Sequence, residues 1–302
     1  MTNVRNQVLS AVFTVICAAA MSSRPSMAAT AGITPEVTES EPAVREFLRE
    51  HSLGTLVPSG AGTVRMIYLV PADRAIRRDH AVAIGSAIIE LQAFYQDEMG
   101  LGQSPPLPSV AGLGQTFALH DPLVEAYQTS HPADFYSTGP NAEPLGFWSS
   151  VLQDGFEITG GGFYDPDHRW IFYVDADPAC GQLVGGVAGV ALLPANDLRG
   201  LVGEPRVVTC PAETPDPRGL CRWVGGLGHE LGHAFGLPHP PGCDAGTCSE
   251  HARDSLMYLG YGNYPDTWLL EEDERRLREG AFFSLRQRFW WPSLDCRGGA
   301  TF

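Results

Sequence analysis

From Gly228 to His239 the chain reads Gly-His-Glu-Leu-Gly-His-Ala-Phe-Gly-Leu-Pro-His, three imidazoles and a carboxylate at spacings that suit a metal ion. Residues four apart share a face of an α-helix, so His229 and His233 can offer ring nitrogens to one ion while Glu230 stands beside an open coordination position. Gly236 suits a left-handed turn that ends the helix, and Pro238 stiffens the exit that delivers His239 as a third ligand. Three protein ligands leave the fourth position of a tetrahedral zinc for water, which separates a catalytic site from a closed structural one. The chemistry is hydrolysis: zinc lowers the pKa of water toward about 7 and polarises the attacked carbonyl, while Glu230, as general base, moves the proton to the leaving amine.

The extended histidine motif resembles the metzincin signature, in which a downstream turn carries a methionine under the zinc. Ser255-Leu256-Met257-Tyr258 lies at a suitable distance. The Leu-Met-Tyr wording is similar to the matrixin branch, whereas Pro240, directly after the third His, is similar to the serralysin branch, whose glycine-rich calcium repeats are missing. The resemblance covers roughly residues 64–302 and is specific only over 228–257. It implies an α/β (α+β) fold: a twisted mixed sheet, a long first helix, an active-site helix, and a small C-terminal subdomain ending in a further helix. It also implies that Met257 forms the Met-turn and that a peptide substrate lies antiparallel to an edge strand above the cleft, recognised by strand addition. Val187, Ala188, Gly189 and Val190, within an apolar run at 187–193, are the expected edge. Some relatives carry a metal-reaching tyrosine two residues after the methionine. Leu259 takes that place, so three histidines and one water are expected, with Tyr258 or Tyr261 donating to the oxyanion or lining the pocket.

The elements that must position these residues begin at 64–70, an apolar run that stops at Pro71 and suits a buried strand. Residues 75–99 place Ile84, Ile88, Leu91 and Tyr95 on one face of a long helix with Gly100 as its stop. Strands are expected at 115–119, 170–174 and 187–193, a short helix at 122–129, and a last helix at 270–283 with acidic residues early and arginines late, as the helix dipole favours. Asp165, Asp167, Asp175 and Asp177 offer a structural calcium site, but beside Pro and Gly they read first as turn formers.

Apolar content of 44% in 302 residues, with 34 Gly and 24 Pro, describes a globular chain with a core and many loops. Arg5, the apolar stretch 8–20 and Ser26-Met27-Ala28 read as a signal peptide over residues 1–28, too short in its apolar part for the roughly 20 residues of a spanning helix. Residues 29–62 read as an N-terminal extension or pro-segment with a short helix at 42–51. The catalytic domain is expected at 63–302, divided into an upper subdomain, 63–236, and a lower one, 237–302. Setting aside Cys17 in the signal leaves six of the seven cysteines. In a secreted or periplasmic protein they read as disulfides, and the two shortest loops are Cys243–Cys248 and Cys210–Cys221. A net charge of −15, with arginine as every basic residue, argues against nucleic acid and anionic lipid partners. The sequence therefore points to a secreted zinc endopeptidase acting on protein or peptide substrates, without stable membrane insertion. Two other readings stay open, a zinc amidase or narrow peptidase for cell-wall or small peptides, and a zinc-stabilised secreted binding protein.

Overall fold

The computed structural model describes residues 62–101, 113–138, 144–210, 219–287 and Cys296. The 1–28 segment, and the 29–62 extension with its short helix at 42–51 except for Gly62, lie outside them. The first apolar run forms β1, Thr63–Val70, with nearly every side chain buried. A strand apolar on both sides belongs in the middle of a covered sheet. It pairs in parallel with β2, Leu113–Gln128, on one side and β3, His168–Val174, on the other. Parallel neighbours need crossovers, which are α1, Arg78–Leu101, between β1 and β2, and α2, Ala133–Thr138, with α3, Gly146–Thr159, between β2 and β3. Short strands β4, Gly185–Val187, and β5, Val190–Leu193, follow, then α4, Ala195–Leu201, and α5, Gly219–Ala234. The remaining elements are α6, Glu250–Arg253, a 3-10 turn at Gly260–Asn263, α7, Glu271–Glu279, and β6, Phe283–Gln287. Among the described residues the result is a mixed α/β fold around one six-stranded sheet, ordered β4-β5-β3-β1-β2-β6, with β4 and β6 antiparallel to their neighbours.

Period-2 alternation divides the strands between two cores. Met66, Tyr68, Ile171, Tyr173 and Leu193 face one layer, where Ile84, Ile88, Leu91 and Tyr95 of α1 meet Val224, Leu227 and Leu231 of α5. Ile67, Leu69, Phe172 and Leu192 face the other, closed by Phe147, Val151 and Leu152 of α3. Burying an aliphatic or aromatic side chain is worth about 1.5–3 kcal/mol, more than the spread of helix propensities, so packing rather than propensity fixes where α1 and α5 lie.

Helix α1 runs through Gly100, its expected stop, to Leu101, and three expected elements differ further. Residues 122–129 are not a helix. They extend β2, with Val124 to Gln128 paired to Met66 to Val70 after an irregularity in register, because ladder bonds to a buried central strand outweigh a weak local preference. The apolar run 187–193 is two strands, turned at Ala188 and Gly189, with the Gly189 N–H donating to Ala234 O at 2.8 Å. Burial of β5 on both faces keeps the run apolar and hides the turn. The last helix stops at Glu279. Phe282 and Phe283 enter the core with Tyr95 and Phe117, and β6 returns to pair with β2, so the C-terminal segment rejoins the main sheet.

The disulfides are Cys180–Cys210, Cys221–Cys296 and Cys243–Cys248. Cys210 therefore pairs with Cys180 instead of Cys221. The fold, not chain distance, brings the loop after β3 beside Cys210, while α5 carries Cys221 to the C-terminal segment. Among the described residues no helix is long and apolar enough to cross a membrane.

Candidate metal centre

Helix α5 buries Val224, Leu227 and Leu231 on one side and turns Arg222, Gly226, His229, Glu230 and His233 toward a cavity of about 240 Å³ on the other. Its glycines let neighbours come close: a Cβ on Gly228 would fall 2.7 Å from Leu91, and one on Gly232 would fall 2.2 Å from Met257 Sδ. The helix ends as the sequence implies. Gly236 has φ +93°, its N–H donates to His233 O at 2.8 Å and that of Leu237 to Gly232 O at 3.0 Å, the paired bonds of a Schellman cap. The chain leaves redirected, and His239 comes back to the helix.

His229, His233 and His239 bring one ligand atom each within 4.8 Å of the others. Each ring has its Nδ1 against an acceptor: Leu256 O for His229 and Leu237 O for His233, both at 2.8 Å, and Asp244 Oδ1 for His239, also at 2.8 Å. In a neutral ring such an acceptor places the proton on Nδ1 and leaves the Nε2 lone pair for an ion. Burial pushes His229 and His233 down to about 4, so both are neutral near pH 7. Two Nε2 atoms 3.1 Å apart, His229 against His233, then present lone pair to lone pair. That is unfavourable without a cation between them and is what a metal requires, so the residues fit a three-histidine zinc site. Met257, fully buried, packs beneath α5 at Gly232.

Glu230 is half-buried beside the triad. Burial pushes its carboxyl above the usual range, opposed by His233 and by a hydrogen bond from the Gly186 N–H. Edge strand β4 approaches so closely that a Cβ on Gly186 would fall 2.5 Å from Glu230 O, which only glycine allows. Of the residues expected to form the substrate edge, only Val187 belongs to β4; Ala188 and Gly189 form the turn and Val190 starts β5. The cavity is bordered instead by Val184 and Gly185. Tyr258 and Tyr261 both line it: Tyr258 donates to Cys243 O at 2.9 Å, and the Tyr261 ring stands 5.2 Å from that of His229. Leu259, 41% exposed, lies at the rim.

Two charged cavity residues were not foreseen. Arg222 stacks over Trp223 and Tyr261, its Cζ 4.4 and 5.1 Å from their centroids. Counting back from Glu230 in steps of four, through Gly226, would have found it. Asp197, on α4, gave no signal. It lies near Arg222, and burial pushes its carboxyl up to about 6 despite that positive charge.

A second group, Asp79, His80 and Glu204, has metal-like spacing. Arg77 already lies between its carboxylates, bonding Asp79 and, at 2.6 Å, Glu204 Oε1, so the cation there is a guanidinium. Three of the four carboxylates offered for calcium are already engaged: Asp165 accepts from the N–H groups of Asp167 and His168, Asp175 pairs with Arg74, and Asp177 with Arg199. A calcium site finds no support in them.

No protein-family model matches the chain, and no curated protein does. Solved structures of OgpA from Akkermansia muciniphila are similar to it. Two crystal forms of the wild-type protein show 21% and 20% identity with TM-scores of 0.47 and 0.48, each over 76% of this chain. A catalytically inactive OgpA in complex with an O-glycopeptide, glycodrosocin, shows 20% identity and a TM-score of 0.49 over the same share. The chain spans 64% of the length of the first of these and 63% of the other two.

Proposed function

We propose that this protein is a secreted zinc-dependent endopeptidase of metzincin type, with His229, His233 and His239 as metal ligands and Glu230 as general base. The observation that carries the reading is the set of three imidazoles, each oriented through Nδ1, whose Nε2 atoms converge beside a carboxylate of raised basicity. Zinc, when bound, supplies a Lewis acid and a water of lowered pKa. Glu230 receives the water proton and returns it to the leaving nitrogen, a task suited to a carboxylate whose pKa burial has raised. The Gly186 N–H fixes the orientation of that carboxylate. Strand β4, at the open edge of the sheet, offers backbone groups to an extended peptide, so main-chain pairing gives affinity and the cavity toward Asp197 and Arg222 receives a side chain. Tyr258 and Tyr261 wall the opposite side. Three disulfides among the described residues suit an oxidising compartment.

Mature protein should cleave an unfolded protein such as casein, lose the activity to a chelator and recover it with zinc. Glu230→Gln should retain zinc yet lose about 10²–10⁴-fold in turnover. A variant cleaving as fast as wild type would sink the assignment of the base. An O-glycosylated peptide and peptidoglycan fragments belong in the same panel: cleavage of peptidoglycan alone would point to an amidase, and full zinc occupancy without any hydrolysis to a binding protein.

A further inference from the structure

The third imidazole of the triad is held differently from the other two. His229 and His233 project from α5 and give their Nδ1 protons to backbone carbonyls. His239 has left the helix, and its Nδ1–H donates to a carboxylate, Asp244 Oδ1, at 2.8 Å. Asp244 sits in the small loop closed by the Cys243–Cys248 disulfide. Inside the loop the Cys243 N–H donates to Pro240 O at 3.1 Å, that of Gly246 to Cys243 O at 2.8 Å and that of Thr247 to Gly242 O at 2.9 Å. Cys243 is buried, and its carbonyl accepts from Tyr258 Oη, whose ring stands edge-on to His239 with centroids 5.4 Å apart. The loop thus grips His239 by a carboxylate and holds, through Tyr258, a second wall of the same ring.

We infer that the 243–248 loop is a clamp for the third metal ligand: the disulfide holds Asp244 where its carboxylate orients His239, so the metal affinity of the site depends on that disulfide through Asp244. The inference rests on the zinc reading above. A ligand on a loop lacks the helix that restricts the rotamers of its two partners, and the ordering must come from elsewhere. A carboxylate acceptor is stronger than a carbonyl, orients the ring, and makes Nε2 a better donor to the metal. Asp244 is a positioning residue, since it acts through His239 and does not line the cavity. Its side chain is 39% exposed, and exposed pairs contribute little to folding, so a metal effect can be told from a structural one. Residues 244–247 are exposed, which leaves the clamp open to reductant.

The test is zinc affinity of the mature protein, measured by chelator competition, with thermal unfolding of the metal-free forms alongside. Asp244→Ala should bind zinc about 10–100-fold more weakly. Asp244→Asn, which keeps an acceptor oxygen, should lose less. Cys243→Ser with Cys248→Ser should lose affinity to the same order as Asp244→Ala, and adding Asp244→Ala to that pair should lower it no further, because both act through one contact. The metal-free Tm of Asp244→Ala should stay at the wild-type value. Wild-type affinity in Asp244→Ala would overturn the clamp, as would losses that multiply when the variants are combined. If the cysteine pair fails to fold, Asp244→Ala and Asp244→Asn decide the carboxylate contact, and zinc affinity of wild-type protein before and after mild reduction of the exposed loop decides the dependence on the disulfide. A wild-type protein that binds no zinc would instead refute the metal reading itself.

Discussion

Gly232→Ala puts the packing under the metal centre to a direct test. In an exposed helix this change is stabilising by up to about 1 kcal/mol, because alanine loses less backbone freedom on folding. Here the new methyl would lie 2.2 Å from Met257 Sδ, 2.9 Å from its Cε and 3.2 Å from Tyr95 Oη. Carbon contacts are optimal at roughly 3.5–4.0 Å, so something must move. Met257 is fully buried, and Tyr95 is held by its hydrogen bond to Gly228 O at 2.9 Å, so neither side chain can swing aside into solvent. Overpacking of this kind costs about 1–3 kcal/mol. Set against the propensity gain, the net loss should be up to about 2 kcal/mol, or up to roughly 4–8 °C in Tm for a domain of this size. The control is Gly100→Ala in the last turn of α1, where a Cβ meets nothing within 4 Å. It should raise Tm. Scanning calorimetry of the two variants gives opposite signs if the packing is as described. Gly232→Ala should also recover part of its loss when combined with Met257→Ala, since the second change removes the atoms in the way. A rise in Tm for Gly232→Ala alone would refute the placement of Met257 under the helix.

Two further outcomes concern pH and the metal. Burial pushes Asp197 and Asp273 each up to about 6. Raised carboxyl groups hold protons more tightly folded than unfolded, so their contribution to stability is greatest below about pH 4 and is lost as pH rises through about 6. Asp197→Asn should flatten the fall of Tm with pH across that window, and an unchanged slope would show that Asp197 does not titrate there. Zinc at a hundredfold excess over its Kd should add about 2.7 kcal/mol, read as a Tm rise that a chelator reverses. Glu230→Gln should keep that rise and His239→Ala should lose most of it, whereas equal shifts in both would remove His239 from the ligand set.

The sequence by itself determined the local features. Spacing of four placed His229 and His233 on one helical face, Gly236 ended that helix, and the stripe Ile84, Ile88, Leu91 and Tyr95 set the core face of α1, because each depends on residues within a few turns of one another. The run at 64–70 was legible as a buried strand for the same reason. What only the tertiary structure decided depends on distant partners. Residues 122–128 became strand because β1 offered them a ladder, 283–287 because β2 had a free edge, and Cys221 found Cys296 across 75 residues. Asp197 reached the cavity from α4 without any spacing relation to the motif, and Val184 and Gly185 took the border expected of 187–190. Asp244 stood five residues beyond His239 in plain view. What made it a partner was the loop closed by Cys243 and Cys248, which aims its carboxylate at the one imidazole that the helix does not hold.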